Sequence, residues 1–162
     1  MAHDPRVAEL VHRLQLVPHP EGGWYREVFR SAKSVTPSDG RSDRAALTSI
    51  YFLLAAGQVS RWHAIRSDEV WHHIEGAPLD LWLTDREADE LFRETVGPFA
   101  PETEPVAVAP ATWWQACRST GAYTLAACTV GPGFDFEDFS LLADPGLAAR
   151  VKKLDPEAHL FL

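Results

Sequence analysis

The middle of the chain is a succession of short segments rich in aromatic and β-branched residues, each bounded by glycine, proline or polar residues. Among the clearest are residues 24–30, 47–54 and 123–130. Turn signals separate such segments at a spacing of about 8–12 residues, and no helical pattern lies between them, which argues against parallel strand–helix–strand units. This arrangement is typical of antiparallel sandwiches and barrels. We therefore predict an all-β fold.

Helical patterns occur near the two ends of the chain. Asp4 is a suitable N-cap and Pro5 suits the first helical position, and apolar residues follow them at helical spacing. A second helix is expected to begin at Asp144. We predict one domain over 1–162, made of an N-terminal helix within 1–17, a β-barrel over 23–142 and a C-terminal helix over 144–154.

The charge balance excludes some classes of partner. The 162 residues include 15 basic and 23 acidic side chains, a formal net charge of −8, and the basic residues are scattered among acids. Nucleic-acid binding draws on concentrated positive charge, so we expect no nucleic-acid partner. No run approaches the ~20 apolar residues that cross a bilayer. The first residues show no cationic region followed by an apolar one, so we expect no secretion signal. The two cysteines have no metal or redox spacing, so we expect a cytoplasmic protein with no membrane partner.

The segment between Gly57 and Gly76 contains the most informative motif. It reads Gly57, five residues, His63, five residues, Glu69, six residues, Gly76. The spacing places His63 and Glu69 on either side of a short turn between two strands, and hence near the same end of a barrel. A neutral imidazole and a carboxylate can bind a divalent metal, and they can equally act as a base and its orienting partner.

This motif resembles the first motif of the cupin superfamily, in which Gly is followed by five residues, His-x-His, three or four residues, Glu, six residues and Gly. Ile65 stands at the position of the second histidine. The second cupin motif, Pro-x-Gly-x-x-His, is similar to residues 110–115, with Thr112 at the glycine and Gln115 at the histidine. The resemblance implies a metal site of His63, Glu69 and Gln115 that Ile65 depletes, with Fe, Mn, Ni or Zn as the candidate metals.

Three further blocks resemble one small cupin subfamily, a domain of unassigned function that has been compared with dTDP-sugar epimerases and seed-storage cupins. The blocks are residues 19–26, 67–72 and 132–139. The resemblance implies a double-stranded β-helix, the cupin jelly-roll barrel, with short flanking helices and a pocket inside. It also implies a homodimer, which apolar residues on both faces of 47–54 independently favour.

Several other residues are candidates for binding a small-molecule ligand. Tyr25 and Arg26 follow two glycines and could direct a phenol and a guanidinium at an anionic ligand. Asp138 lies between aromatic residues, where an acid needs a partner. Trp114 is a candidate as an aromatic pocket wall, and Gln115 as a polar pocket residue.

The strand after Glu69 leaves a choice between two histidines. Strict alternation places Glu69, Trp71 and His73 on one face, so that Trp71 and His73 are ligand-binding candidates. The subfamily pattern Glu-x-Trp-His instead favours His72. A β-bulge would reconcile the two patterns, and both histidines remain candidates.

The remaining histidines and one polar tract are predicted to be peripheral. The histidines His3, His12, His19 and His159 are expected on the surface. The tract Ser31–Ser42 contains four serines together with Lys33, Pro37 and Gly40, and we predict a loop there.

The leading functional hypothesis is a small-molecule-binding cupin of unassigned activity. As an enzyme it would carry out metal-independent proton transfer, as in sugar-nucleotide epimerisation, with His63 as general base and Glu69 or another carboxylate orienting it. Two alternatives remain open: a metal-dependent dioxygenase or isomerase that uses His63, Glu69 and Gln115, and a non-catalytic binding or storage protein.

Overall fold

The computed structural model describes residues 4–162, which form antiparallel strands with a helix near each end. The helices are α1 (Pro5–Arg13) and α2 (Pro145–Leu154), and short 3-10 helices lie at Phe136–Asp138 and Pro156–Phe161. The strands are β1 (Val17–Pro18), β2 (Trp24–Arg30), β3 (Ser34–Val35), β4 (Arg44–Ala45), β5 (Thr48–Ala55), β6 (Val59–Ile65), β7 (Asp68–Gly76), β8 (Leu79–Thr84), β9 (Leu91–Val96), β10 (Val106–Ala109), β11 (Trp114–Ser119), β12 (Tyr123–Gly131) and β13 (Phe139–Leu141).

Two antiparallel sheets form the jelly roll. One has the strand order β1-β2-β5-β12-β7-β10, and the other has the order β13-β6-β11-β8-β9. A separate pair, β3 with β4, forms a small hairpin. The apolar side chains of both sheets meet in a central core that includes Phe52, Trp71, Leu81 and Cys117. The prediction of an all-β cupin jelly roll with terminal helices is therefore confirmed.

Helix α1 covers part of the outer face of the six-stranded sheet. Its N-cap is Asp4, whose Oδ1 accepts a hydrogen bond from the backbone N–H of Arg6 at 2.8 Å. Val7 and Leu10 of the helix are buried against Leu53 of β5. Burying such side chains stabilises the fold by about 1.5–3 kcal/mol each.

Helix α2 and the C-terminal 3-10 helix cover the outer face of the five-stranded sheet. Trp62, Trp82 and Phe161 are fully buried in this second core. The Trp82 indole Nε1 donates to Asp155 Oδ2 at 2.8 Å, and this bond ties the sheet to the end of α2. Both sheets are thus apolar on both faces.

The segments predicted as strands at 24–30, 47–54 and 123–130 are β2, β5 and β12, which confirms them. The predicted loop Ser31–Ser42 is in part wrong, because β3 pairs with β4 and makes this region a hairpin. No helix in the described part of the chain is both long and apolar enough to cross a membrane.

Asp138 holds the β3–β4 hairpin against the 3-10 helix before β13. Its Oδ2 accepts hydrogen bonds from Arg41 Nη1 at 2.8 Å and Arg44 Nε at 2.9 Å, and all three side chains are buried. Burial by itself would raise the pKa of Asp138, but the bonds from Arg44 and Arg41 outweigh it and hold this pKa below its ordinary value. We call this group the arginine clamp.

Replacing Asp138 by asparagine should destabilise the fold by about 3 kcal/mol, because it removes the one buried carboxylate that the two buried guanidiniums share. The measurement is urea denaturation. Glu137 is the matched control, since it neighbours Asp138 and contacts Arg44 but its side chain is 76% exposed. Glu137→Gln should cost less than about 1 kcal/mol. Equal losses in the two variants would contradict a structural role for the clamp.

Thr112, just before β11, has a φ of 71°, in the left-handed region. A β-branched residue is strained there. The same position is a glycine in the cupin motif that residues 110–115 resemble. The positive φ explains this, because glycine adopts the left-handed region without strain. The Thr112 N–H donates to Ile65 O at 2.7 Å, so the strained turn also attaches β11 to the end of β6.

Thr112→Gly should stabilise the protein by about 0.5–1 kcal/mol. Relief of about 1–2 kcal/mol of left-handed strain exceeds the entropic cost that glycine adds, which is about 0.5–1 kcal/mol. Thr112→Ala is the control, because alanine must hold the same φ and should bring no gain. Thermal and urea unfolding of the three proteins provide the comparison. A loss of stability in the glycine variant would show that this turn is unstrained.

Candidate functional site

The jelly roll encloses a cavity of about 510 Å³. Its walls are largely apolar and include Phe52, Trp71 and Phe134. Its buried polar side chains include Glu21, His63 and Glu69, and we call these three the polar cluster. Less buried charged residues, Arg26, Glu27, Arg30 and Asp135, line its more exposed part, which we call the mouth. A volume of this size suits a small organic ligand.

Strand β6 brings His63 into the interior. A β-bulge, in which Ala116 of β11 lies opposite two residues of β6, turns Ser60 and His63 to the same face. The His63 Nδ1 atom lies 2.8 Å from the carbonyl oxygen of Arg61. Because a carbonyl only accepts hydrogen bonds, Nδ1 carries a proton. In the neutral ring, Nε2 is then an acceptor.

Glu21 reaches His63 from the turn between β1 and β2. Its neighbour Gly22 has a φ of 120°, and a Cβ atom there would lie 2.1 Å from the carbonyl oxygen of Val59. Only glycine therefore allows this turn to lie against β6, where the Arg61 N–H donates to Glu21 O at 2.9 Å. The Glu21 carboxyl then lies with Oε2 3.1 Å from His63 Nε2.

The pair of Glu21 and His63 is neutral at pH 7. Burial raises the pKa of Glu21 to about 8, although the hydroxyl of Ser60, which donates to Oε1 at 2.9 Å, opposes this shift. Burial also lowers the pKa of His63. The protonated carboxyl of Glu21 therefore donates to Nε2 of the neutral His63 ring.

Glu69 is held by a relay of hydrogen bonds. The Trp71 indole Nε1 donates to Gln115 Oε1 at 2.9 Å, and Gln115 Nε2 donates to Glu69 Oε2 at 2.5 Å. Burial raises the pKa of Glu69 to about 7; the nearby His63 opposes this shift and Glu21 adds to it. Glu69 thus titrates near neutral pH, the range in which a carboxylate serves best as a general base.

His19 lies at the cavity, and its predicted surface location is wrong. Its side chain is only 6% exposed and its ring contacts the edge of Tyr25, with centroids 4.5 Å apart. Burial, with a smaller contribution from His63, lowers the pKa of His19 to about 4, so it is neutral. His12 and His159 are exposed as predicted, and His3 lies outside the described residues.

Four of the predicted ligand-binding residues are at or directly behind the cavity. Tyr25, Arg26 and Trp71 line it, and Gln115 contacts two lining residues through the relay. His63 and Glu69 line the same cavity, as the motif spacing predicts. The carboxyl group in contact with His63, however, is that of Glu21.

The other four predicted ligand-binding residues do not line the cavity. His72 and His73 are half-buried beyond Trp71, and His73 Nε2 lies 3.2 Å from the carbonyl oxygen of Gly76 near the end of β7. The bulge in β7 lies after His73, so it does not turn either ring inward. Trp114 packs in the second core, on the outer face of its sheet.

Asp138 is the fourth predicted ligand-binding residue that does not line the cavity. Its carboxylate is fully engaged by the arginine clamp and lies outside the cavity lining. The expectation that this acid needs a partner is confirmed, but the partners are Arg41 and Arg44 of the chain itself. A ligand has no free oxygen of Asp138 to bind.

The residues do not fit the metal site that the motif implies. Gln115 uses its amide oxygen for Trp71 and its amide nitrogen for Glu69, and Ile65 offers no donor atom. Within residues 4–162, no group of three or more His, Cys, Asp or Glu side chains is placed to hold a metal ion. Within the predicted set, Gln115 is hydrogen-bonded to Glu69, whereas His63 contacts Glu21 and the carbonyl oxygen of Arg61. The three side chains are therefore engaged within the protein and do not form a ligand sphere.

The neutral state of Glu21 has a consequence for stability. Between pH 4.5, its ordinary pKa, and about 8, the folded protein keeps a proton that the unfolded chain releases. The free energy of unfolding therefore falls as the pH rises through this window. Glu21→Gln removes this dependence, because a glutamine amide replaces the protonated carboxyl as donor to His63 and acceptor from Ser60.

We predict that the stability of Glu21→Gln relative to wild type rises from pH 5 to pH 8 by roughly 2–4 kcal/mol, with at most about 1.4 kcal/mol per pH unit. Urea denaturation across this range measures the difference. Glu104→Gln is the control, because Glu104 is exposed, and it should run parallel to wild type. A glutamine variant that is strongly destabilised at every pH would instead indicate a charged Glu21–His63 ion pair.

The fold and this cavity define a cupin. The model of the Cupin superfamily (DUF985) matches residues 8–142, and the chain belongs to this family. A structure of a hypothetical protein from Leishmania major is 31% identical, covers 95% of both chains and has a TM-score of 0.79. The crystal structure of a protein from Shewanella oneidensis is 29% identical, covers 99% of this chain and 98% of that one, and has a TM-score of 0.84.

More distant similarities are partial. Oxalate decarboxylase from Bacillus subtilis, another of whose structures is described by its Mn(II) centres, is 17% identical with a TM-score of 0.58, covering 88% of this chain and 33% of that one. It shares the fold. The isoleucine–tRNA ligase of Vibrio parahaemolyticus is 27% identical over 150 residues, so the chain spans only 15% of that relative. For the ligase of Halorhodospira halophila the share is 9%, at 31% identity over 91 residues.

Proposed function

We propose that this protein binds a small organic molecule in the jelly-roll cavity and catalyses a metal-independent proton transfer, an isomerisation or epimerisation. The observation that supports this most strongly is the polar cluster: two buried carboxyl groups and an imidazole lie at one apolar cavity, with Glu21 protonated and Glu69 titrating near pH 7. Titratable groups with displaced pKa values in a cavity are typical of acid–base sites.

In this proposal Glu69 is the base. Its carboxylate removes a proton from a carbon of the ligand and becomes a carboxylic acid. The pair of Glu21 and His63 supplies a proton to another atom of the ligand, leaving Glu21 as a carboxylate that accepts from Ser60. Exchange with solvent protons then restores both groups. The hydrogen-bonding relay through Gln115 and Trp71 orients Glu69 throughout.

His63 has a different part from the one expected from the motif alone. Its Nε2 already accepts from Glu21 and its Nδ1 already donates to Arg61 O, so the ring has no free acceptor for a ligand proton. Its part in the proposal is to hold the Glu21 proton in place. We also propose that the protein is a homodimer, on the basis of the family resemblance, and that it is cytoplasmic, on the basis of its cysteine usage. The charge balance and the lack of a long apolar run support the proposal that it has no nucleic-acid or membrane partner.

The test begins with thermal-shift screening of sugar nucleotides and small organic acids, since a cavity ligand raises the melting temperature. Each ligand found is incubated in D₂O and followed by NMR. The wild type should exchange a carbon-bound proton of the ligand, and Glu69→Gln should bind it but slow the exchange by at least about 100-fold. Glu137→Gln, away from the cavity, should behave as wild type.

Other outcomes would contradict the proposal. Ligand binding without proton exchange would indicate a non-catalytic binding protein. Stoichiometric Fe, Mn, Ni or Zn in the purified protein, lost on His63→Ala, would indicate a metal-dependent cupin. Metal analysis of both proteins therefore accompanies the exchange measurement.

A further inference from the structure

The positively charged side chains that line the cavity differ in whether a carboxylate of the protein already binds them. Within the described lining there are two cationic side chains, Arg26 and Arg30. Arg30 donates from Nε to Glu27 Oε1 at 2.9 Å and from Nη2 to Glu27 Oε2 at 2.7 Å, a bidentate pair that neutralises it. It also donates to Phe134 O at 3.1 Å. Arg30 is thus occupied within the protein.

Arg26 has no such partner. No carboxylate of the described residues lies within salt-bridge distance of its guanidinium, whose one hydrogen bond is a long one of 3.4 Å from Nη1 to the neutral amide of Gln15. Its Nε atom is buried and has no hydrogen-bond partner among residues 4–162. Buried N–H groups almost always have partners, and an unpartnered one costs free energy until an acceptor is supplied.

The surroundings of Arg26 restrict what that acceptor can be. The protein part of the mouth offers Glu27, already bound to Arg30, and Asp135, whose Oδ1 accepts from the backbone N–H of Glu137. The deeper walls are aromatic, with Phe52, Trp71 and Phe134 among them. A ligand that satisfies both regions has one anionic group and an apolar body.

We infer that Arg26 binds the anionic group of the cavity ligand, and that the ligand is a small organic acid with a single carboxylate or phosphate monoester group. This inference rests on the proposed cavity binding and narrows its ligand. A nucleoside diphosphate needs several cationic side chains, and the cavity wall has one uncommitted arginine. The other candidate arginines are engaged elsewhere, Arg61 with Pro20 O at 2.6 Å and Arg66 with Asp39 Oδ2 at 3.5 Å.

The location of Arg26 fits a role in orienting the ligand. Arg26 pairs with Tyr51 across β2 and β5, and its guanidinium lies over the Tyr51 ring, 6.0 Å from the ring centroid. Together with Gln15, which it contacts, it lines the mouth of the cavity. An anion held at this part of the mouth leaves the apolar part of the ligand to lie against the aromatic walls. The reacting carbon is then expected toward Glu69.

Isothermal titration with benzoate, phenyl phosphate and neutral benzamide tests the inference. The three probes share an aromatic ring that suits the walls and differ in the group that would meet Arg26. Wild type should bind at least one anionic probe about tenfold more tightly than benzamide, the size of effect that one charge-assisted hydrogen-bond pair provides. Preference between benzoate and phenyl phosphate distinguishes a carboxylate ligand from a phosphate ligand.

Arg26→Gln should reduce this preference to less than about threefold, whereas Arg26→Lys should retain part of it. Arg66→Gln is the matched control, because it removes the same charge from an exposed position away from the cavity. Circular dichroism verifies that the variants fold. Benzamide bound as tightly as the anions, or an unchanged preference in Arg26→Gln, would overturn this inference alone. Failure of every probe to bind would overturn cavity binding as well.

Discussion

The interior of this protein depends on how three buried polar groups, Glu21, His63 and Glu69, are kept compatible with an apolar barrel. A buried charge without a partner is costly, and the protein reduces that cost by neutralisation and by hydrogen bonding. Glu21 keeps its proton and gives a hydrogen bond to His63, while the relay from Trp71 through Gln115 supports Glu69. The neutral pair is also what leaves His63 without a free lone pair for a metal.

The same residues show how a metal-site motif can be converted to a different use. The motif spacing from Gly57 to Gly76 is kept, so the strands and the turn between them still converge on the cavity. Ile65 replaces one donor with an aliphatic side chain, and Gln115 becomes the middle of a hydrogen-bond chain. The spacing that places metal ligands together in the cupin motif serves here to fix the orientation of the Glu69 carboxylate.

Much of the fold could be predicted from the sequence because its signals are local. Alternating apolar residues and turn residues marked β2, β5 and β12 nearly to the residue. Glu21 could not be identified in this way, since its contact with His63 depends on the close approach of Gly22 to Val59, which no spacing encodes. It lies in the block 19–26 that carried the resemblance, and that was the available signal.

The location of His73 also depends on packing that alternation along one strand does not encode. Alternation along β7 favoured His73 for the cavity, but the interior beyond Trp71 belongs to the core.

The arginine clamp is a buried link between two parts of the molecule. Asp138 closes a short segment whose earlier residues, Phe134 and Phe136, form part of the cavity wall. Through Arg41 and Arg44, that segment is attached to the β3–β4 hairpin. The aromatic side of the entrance is therefore attached to the hairpin by a buried ion pair. This attachment restrains the width of the opening through which a ligand enters more than a surface loop would.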